Sequence, residues 1–193
     1  RGITTTIVTV EDIYNAYTGI DNQDKIRNFI RDAYFYWETN YVLLGGDNES
    51  NGYGSVPARC LWVAITDPNG HEIPMYSKNI PADIYYACLD GVYNYDSDSK
   101  WGEPHDGENG DDVDLIAEIY IGRACVDNPT ELSNFVMKNL AYENTADTYL
   151  DNVLMVGEWL GFGGYADWGG NFKNEIIDDS QYLYSTTGIP SDE

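Results

Sequence analysis

Apolar residues along this chain come in short blocks, and the spacing inside each block predicts its element. Residues 3–10 are β-branched throughout and read as a strand. Ile26, Phe29, Ile30, Ala33 and Trp37 then recur at helical spacing behind Asp21 or Asn22 as N-cap. Residues 41–44, a nearly all-apolar run ending in Gly45-Gly46-Asp47, predict a strand buried on both faces. Strand, helix, strand in this order implies a right-handed crossover and a parallel sheet.

The middle of the chain changes character. Residues 61–65 and 73–76 flank the turn cluster Thr66-Asp67-Pro68-Asn69-Gly70 and predict a hairpin laid on the sheet edge. Residues 83–89 are expected to form a further strand, and the alternation over 115–121 another. Asn128-Pro129-Thr130-Glu131 is a helix start with Asn as cap, Pro at the first helical position and Glu three residues after the cap. Leu132, Phe135, Val136 and Leu140 form one face of that helix. Residues 152–156 predict another buried strand, followed by Gly157-Glu158, a glycine-rich loop over 161–170 and a short helix around 172–177. The fold class is α/β: a Rossmann-like layered domain with a mostly parallel central sheet, flanking helices, and an antiparallel hairpin plus acidic loop inserted in the middle.

That acidic loop is the first place where charge alters the picture. Between residues 90 and 114 stand nine carboxylates (Asp90, Asp96, Asp98, Glu103, Asp106, Glu108, Asp111, Asp112 and Asp114) and one base, Lys100. So many like charges repel unless a counter-ion gathers them. Carboxylates at alternate positions, as in Asp96-x-Asp98 and Asp112-x-Asp114, can turn their oxygens toward one centre. A hard cation such as calcium takes about six to eight oxygens of this kind. With Asn94 at position 1 of an EF-hand loop, position 6 is Ser99 and position 12 is His105, so the expectation is an irregular calcium loop. A solvated acidic loop is the alternative. The interleaved Tyr93, Tyr95 and Trp101 favour an ordered one.

The whole chain is acidic as well, with 33 acids against 10 bases in 193 residues and a formal net charge of −23. This balance disfavours nucleic acid and anionic lipid as partners. No apolar run is long enough to span a membrane. The chain opens Arg1-Gly2-Ile3, which reads as a processed or excised piece of a longer polypeptide. Cys60, Cys88 and Cys125 have no metal-ligand spacing and read as small core residues, although one pair could be bridged in an oxidising compartment.

A thiol or hydroxyl nucleophile needs a base beside it. The two histidines, His71 and His105, fall in loops and read as exposed, and no dinucleotide or serine-hydrolase motif is present. Asp47 and Glu158 follow predicted central strands, where open α/β sheets place their chemistry. Such acids can orient a histidine supplied from elsewhere; capping or loop hydrogen bonding is the alternative for both.

Several stretches together resemble the first half of the catalytic domain of gingipain-type cysteine peptidases. They are Tyr41-Val42-Leu43-Leu44-Gly45-Gly46-Asp47, Val56-Pro57-Ala58-Arg59, Asp83-Ile84-Tyr85-Tyr86-Ala87-Cys88-Leu89-Asp90-Gly91, and Glu118-Ile119-Tyr120-Ile121-Gly122-Arg123. Leu140-Ala141-Tyr142-Glu143 and Gly157-Glu158 complete the set. The resemblance implies a caspase-like architecture in which residues 1–193 are a single α/β domain, the first of two subdomains. The catalytic histidine, in a Gly-His-Gly context, and the catalytic cysteine belong to the second subdomain, and neither motif occurs here.

By the same resemblance Glu158 is the acid that orients the histidine, and calcium is bound near the acidic loop. The substrate pocket falls at Gly170 or Asn171, with Asp167 nearby as a substitute acid, so a preference for arginine does not carry over. The implied whole is a secreted, calcium-stabilised cysteine endopeptidase acting on proteins or peptides at the cell surface or outside the cell. The fragment alone is expected to be inactive, and the oligomeric state stays open. The competing reading is a non-catalytic calcium-binding surface or adhesion module on the same fold.

Overall fold

The structure is a computed structural model, and it describes residues 3–48, 55–64, 71 and 78–146. The chain divides into two compact units, Arg1–Lys138 and Asn139–Glu193. The first contains nearly all the described elements. The second contributes residues 139–146 to the description, chiefly the last turns of one helix.

The first element departs from the pattern reading. Residues 3–9 are irregular and mostly exposed, and a helix, α1 (Val10–Ala16), begins where the predicted strand should end. The reason is local. Thr9 caps the helix by accepting the Asp12 amide at 3.2 Å while its hydroxyl donates to the Asp12 carboxylate at 2.8 Å. A β-branched run with no strand beside it gains nothing from being extended, and the cap takes the chain into a helix instead.

Helix α2 (Asn22–Trp37) matches the expected stripe. Asp21 is the N-cap, its Oδ1 accepting the Asp24 amide at 2.9 Å, and Ile26, Ile30 and Ala33 are buried. Trp37 is mostly exposed, resting edge-on against Phe29. Glu38 ends the helix in the left-handed region (φ 54°), with the Thr39 amide bonded back to the Ala33 carbonyl.

Strand β1 (Tyr41–Gly45) pairs in parallel with β4 (Tyr120–Ala124), Tyr41 opposite Tyr120 and Gly45 opposite Ala124. The parallel pairing was expected, but the partner lies far along the chain instead of at residues 3–10. The expected burial on both faces is not found either: Leu44 is 5% exposed, whereas Tyr41 and Leu43 on the other face are 63% and 64% exposed. The strand predicted over 115–121 begins only at Tyr120. Before it, the Asp114 side chain accepts the Ile116 amide in a tight turn and the Glu118 amide bonds to the Ala87 carbonyl. These bonds hold 114–118 away from the ladder.

Strands β2 (Arg59–Val63) and β3 (Lys78–Ala82) form an antiparallel pair, as a hairpin requires, with Arg59 opposite Ala82 and Val63 opposite Lys78. It is a separate two-stranded sheet, not an edge of the parallel pair, among the described residues. Residues 73–76, where the sequence places the second strand, lie outside the described residues.

The strand expected over 83–89 is instead a single helical turn, α3 (Ile84–Ala87). Tyr85, Tyr86, Ala87, Cys88 and Leu89 are all buried, and an apolar run without a period does not distinguish strand from helix. These residues, with Ile13, Ile26, Ile30, Leu44, Val56, Leu61, Tyr93 and Ile119, make one core. Full burial of an aliphatic or aromatic side chain stabilises by about 1.5–3 kcal/mol.

Helix α4 (Pro129–Asn144) starts as predicted. Asn128 Oδ1 accepts the Thr130 and Glu131 amides at 3.0 Å each, and Glu131 Oε2 accepts the Asp127 amide. Its apolar face is open: Leu132, Val136 and Leu140 are exposed. No helix of the described residues is long and apolar enough to cross a membrane.

Candidate functional site

The acidic loop is ordered, and one of its acids explains why. Asp106 is 1% exposed, and its two oxygens accept the Tyr95 amide at 2.9 Å and the Gly102 amide at 2.7 Å. The Asp106 carbonyl also takes the Tyr95 amide at 3.1 Å, and the Gly102 amide bonds to the Tyr93 carbonyl as well. Gly102 sits at φ +74°, and a Cβ there would lie 3.0 Å from the Leu61 side chain. Only glycine suits that corner. Asp106 is therefore an internal clamp that folds 95–102 over 106, committed to backbone donors.

The remaining predicted ligands separate. Asp96, Asp98 and Glu103 bring carboxylate oxygens within 4.8 Å of one another. Opposite ligands of one calcium ion, at about 2.3–2.6 Å each, are about 5 Å apart, so this span fits a single hard cation. Glu103 Oε2 is buried, and the Lys100 ammonium meets it in an ion pair of 3.3 Å.

Asn94 Oδ1 in the same loop is buried without a hydrogen-bond donor, while its amide nitrogen donates to the Asp98 carbonyl. A buried acceptor left without a donor costs about 1–3 kcal/mol unless something positive meets it. The convergent set that could hold a cation is Asp96, Asp98 and Glu103, with Asn94 Oδ1 an open acceptor in the same loop. Asn94 enters the sequence reading only as position 1 of the rejected EF-hand register, not among the nine carboxylate candidates.

Asp90 belongs to another group, with Cys88 and Glu118, whose ligand atoms also lie within 4.8 Å. In both groups atoms have protein partners: Asp96 Oδ1 accepts the Asp98 amide at 3.1 Å and Asp98 Oδ1 the Lys100 amide at 2.6 Å, while Glu118 Oε2 accepts the Leu89 amide at 2.5 Å and Cys88 Sγ lies 3.9 Å from Asp90 Oδ1. Arg27 donates to the carbonyls of Cys88 and Gly91 beside them. Glu108, Asp111 and Asp112 are exposed, and Asp114 is occupied with its turn. The structure does not bring these acids together with the first group.

Burial pushes the Tyr93 phenol well above its usual range, with the adjacent Cys88 adding to the effect, and its hydroxyl donates to the Asp114 carbonyl. His105 is exposed at φ 68°, 3.9 Å from Asp112, and His71 is exposed. The three cysteines are free; Cys88 is buried, but Cys60 and Cys125 are exposed and are not core residues.

A second cluster sits at the carboxyl ends of the parallel strands. Arg123 donates through Nε and Nη2 to both oxygens of Asp83 at 2.7 Å, and through Nη1 to the carbonyls of Gly46 and Val56. The Asp83 hydrogen bonds raise its pKa despite partial burial. Asp47 lies on the corner so held, its carbonyl accepting the Val56 amide at 2.9 Å. Neither Arg123 nor Asp83 was singled out from the sequence, though an arginine next to a buried strand position asks for a partner. Glu158, Asp167, Gly170 and Asn171 lie outside the described residues.

The profile of Peptidase family C25 matches residues 1–189. No curated protein and no solved structure matches the chain. The mixed α/β architecture, with its parallel pair, antiparallel pair and flanking helices, is consistent with the caspase-like fold of that family. A match over nearly the whole length, on a fold of the right class, establishes that the chain belongs to peptidase family C25, the gingipain family, and is related to cysteine peptidases.

Proposed function

We propose that the chain is the scaffold portion of a secreted, calcium-stabilised cysteine endopeptidase that cleaves proteins or peptides outside the cell. The observation that carries this reading is the family match across residues 1–189. Glu158 is the acid that orients the catalytic histidine, and Asp167, Gly170 and Asn171 contribute to the substrate pocket. The histidine and cysteine of the dyad come from outside residues 1–193, since neither His71 nor His105 has glycine on both sides.

Calcium is supported by the buried Asn94 Oδ1, which has no hydrogen-bond donor, beside the convergent carboxylates of Asp96, Asp98 and Glu103, where the ion would compete with Lys100 for Glu103. Asn94, Asp96, Asp98 and Glu103 would hold the ion. Bound there, it neutralises the convergent charge and ties the two arms of the loop; its contribution is structural, and the loop supplies no catalytic group.

Two measurements test the proposal. Titration calorimetry with Ca²⁺ should give saturable binding and a raised melting temperature; equal stability in calcium and in EDTA would remove the calcium. In the parent polypeptide, Glu158→Gln should lower thiol-dependent kcat/KM by about 10²-fold or more, as loss of an orienting acid does. A parent with no thiol-dependent cleavage, or unaffected cleavage in the variant, overturns the catalytic role.

A further inference from the structure

Trp101 is one of the places where the cation loop meets the core. Trp101 lies between Asp98 and Glu103 in the chain, so whatever draws those two acids together also sets residues 99–102. The Trp101 carbonyl accepts the Trp62 amide of β2 at 2.6 Å, and its ring covers the Arg59 guanidinium at 3.7 Å. Tyr85 flanks the same guanidinium at 4.7 Å.

Arg59 is 6% exposed, and its fork closes on Asp21 through two bonds of 2.8 and 2.7 Å. Asp21 is the N-cap of α2. The Nε of Arg59 is buried without a hydrogen-bond partner, so the guanidinium depends on its Asp21 fork and on aromatic faces for compensation.

We infer that Arg59 is a positioning residue for the cation loop, linking the ion's occupancy through Trp101 to the capped start of α2. The inference rests on the calcium reading proposed above. The physical chain is short. With the ion bound, 99–102 has one arrangement and Trp101 stays on Arg59. Without it, repulsion among Asp96, Asp98 and Glu103 loosens the seat of Trp101, and the Arg59–Asp21 fork loses its cover. Coupling of this kind is reciprocal: weakening the seat must weaken the ion by the same factor. Residues that touch no ion should therefore change its affinity.

The test uses the full chain and Ca²⁺ alone. Arg59→Lys removes the fork and most of the stacking, whereas Trp101→Leu removes the ring and leaves Arg59 and Asp21 in place. Each should bind Ca²⁺ about five- to thirty-fold more weakly than wild type, the worth of a desolvated cation–π contact expressed as affinity. Hydrogen exchange supplies an independent readout. Calcium should protect the peptide spanning residues 21–25, where the Asp24 amide bonds to Asp21, in wild type and not in either variant. If Arg59→Lys does not fold, Trp101→Leu carries the test by itself. Wild-type binding with both variants within twofold, and no calcium-dependent protection at 21–25, overturns the link and leaves the calcium reading standing. A wild-type chain that takes up no Ca²⁺ overturns both.

Discussion

Asp106 provides the sharpest test of how the acidic loop is built, because the two explanations for its burial predict opposite responses to calcium. As an internal clamp it accepts two backbone amides and faces no cation. A hydrogen bond to a charged acceptor contributes about 1.5–3 kcal/mol, so losing two sets an upper bound of about 6 kcal/mol. Both amides have a second acceptor, the Asp106 and Tyr93 carbonyls, and retain part of their satisfaction. Asp106→Ala should therefore destabilise by about 3 kcal/mol. With a urea m-value of about 2 kcal/mol/M, the midpoint falls by about 1.5 M. Asp106→Asn keeps one acceptor oxygen and turns an NH₂ toward an amide donor, so it should fall between. The assay is urea unfolding in EDTA and again in saturating calcium. The clamp requires the full loss in EDTA. If Asp106→Ala matches wild type in EDTA and is weakened only in calcium, Asp106 is a metal ligand and the assignment of the loop is wrong.

Other outcomes follow from the same geometry. Arg123→Met leaves the Asp83 carboxylate unpaired and takes the arginine donor from the Gly46 and Val56 carbonyls, and should cost about 3–5 kcal/mol by urea unfolding. Arg123→Lys should recover only part of this, since an ammonium cannot reproduce the fork. Partial burial raises the Asp21 pKa, but the bonds from Arg59 and the Asp24 amide prevail and hold it below the usual carboxylate range. The stability it adds is thus present above about pH 4 and is lost as the pH falls through its depressed folded value. The gap in unfolding free energy between wild type and Asp21→Asn should close along that descent. Burial raises the Tyr86 and Tyr93 phenols above their ordinary value, so they stay protonated while the chain is folded. Their contribution is intact below about pH 10 and declines above it. Tyrosinate absorbance should show a late class that appears together with unfolding; titration of every tyrosine before unfolding would refute their burial.

Much was legible without coordinates where the signal is local. The Asp21 cap with its stripe of Ile26, Ile30 and Ala33, and the Asn128-Pro129-Thr130-Glu131 start, depend on groups a few residues apart, and both helices formed as read. The family could be recognised because its stretches keep their order along the chain. The misreadings share a cause. Residues 3–9, 83–89 and 115–119 are apolar or β-branched enough for a strand, but a strand exists only beside a partner, and pairing is a long-range fact. Thr9 and Asp114 made local alternatives available through their side chains, and the chain took them; the turn at Ile84–Ala87 forms without a side-chain cap.

The acidic loop divides along the same line. Its composition alone determined that carboxylates are crowded between residues 90 and 114 and that glycines allow the chain to turn among them. Which acids meet was decided by tertiary structure. Asp106 was drawn inward by the amides of Tyr95 and Gly102, Asp90 was carried off with Cys88 and Glu118, and Asn94 was brought in beside Asp98. The same holds for Arg59 and Arg123, whose partners Asp21 and Asp83 lie about 40 residues away in sequence. Charge is a property each residue carries alone, whereas burial and pairing depend on what the folded backbone places within about 3 Å, and only the fold supplies that.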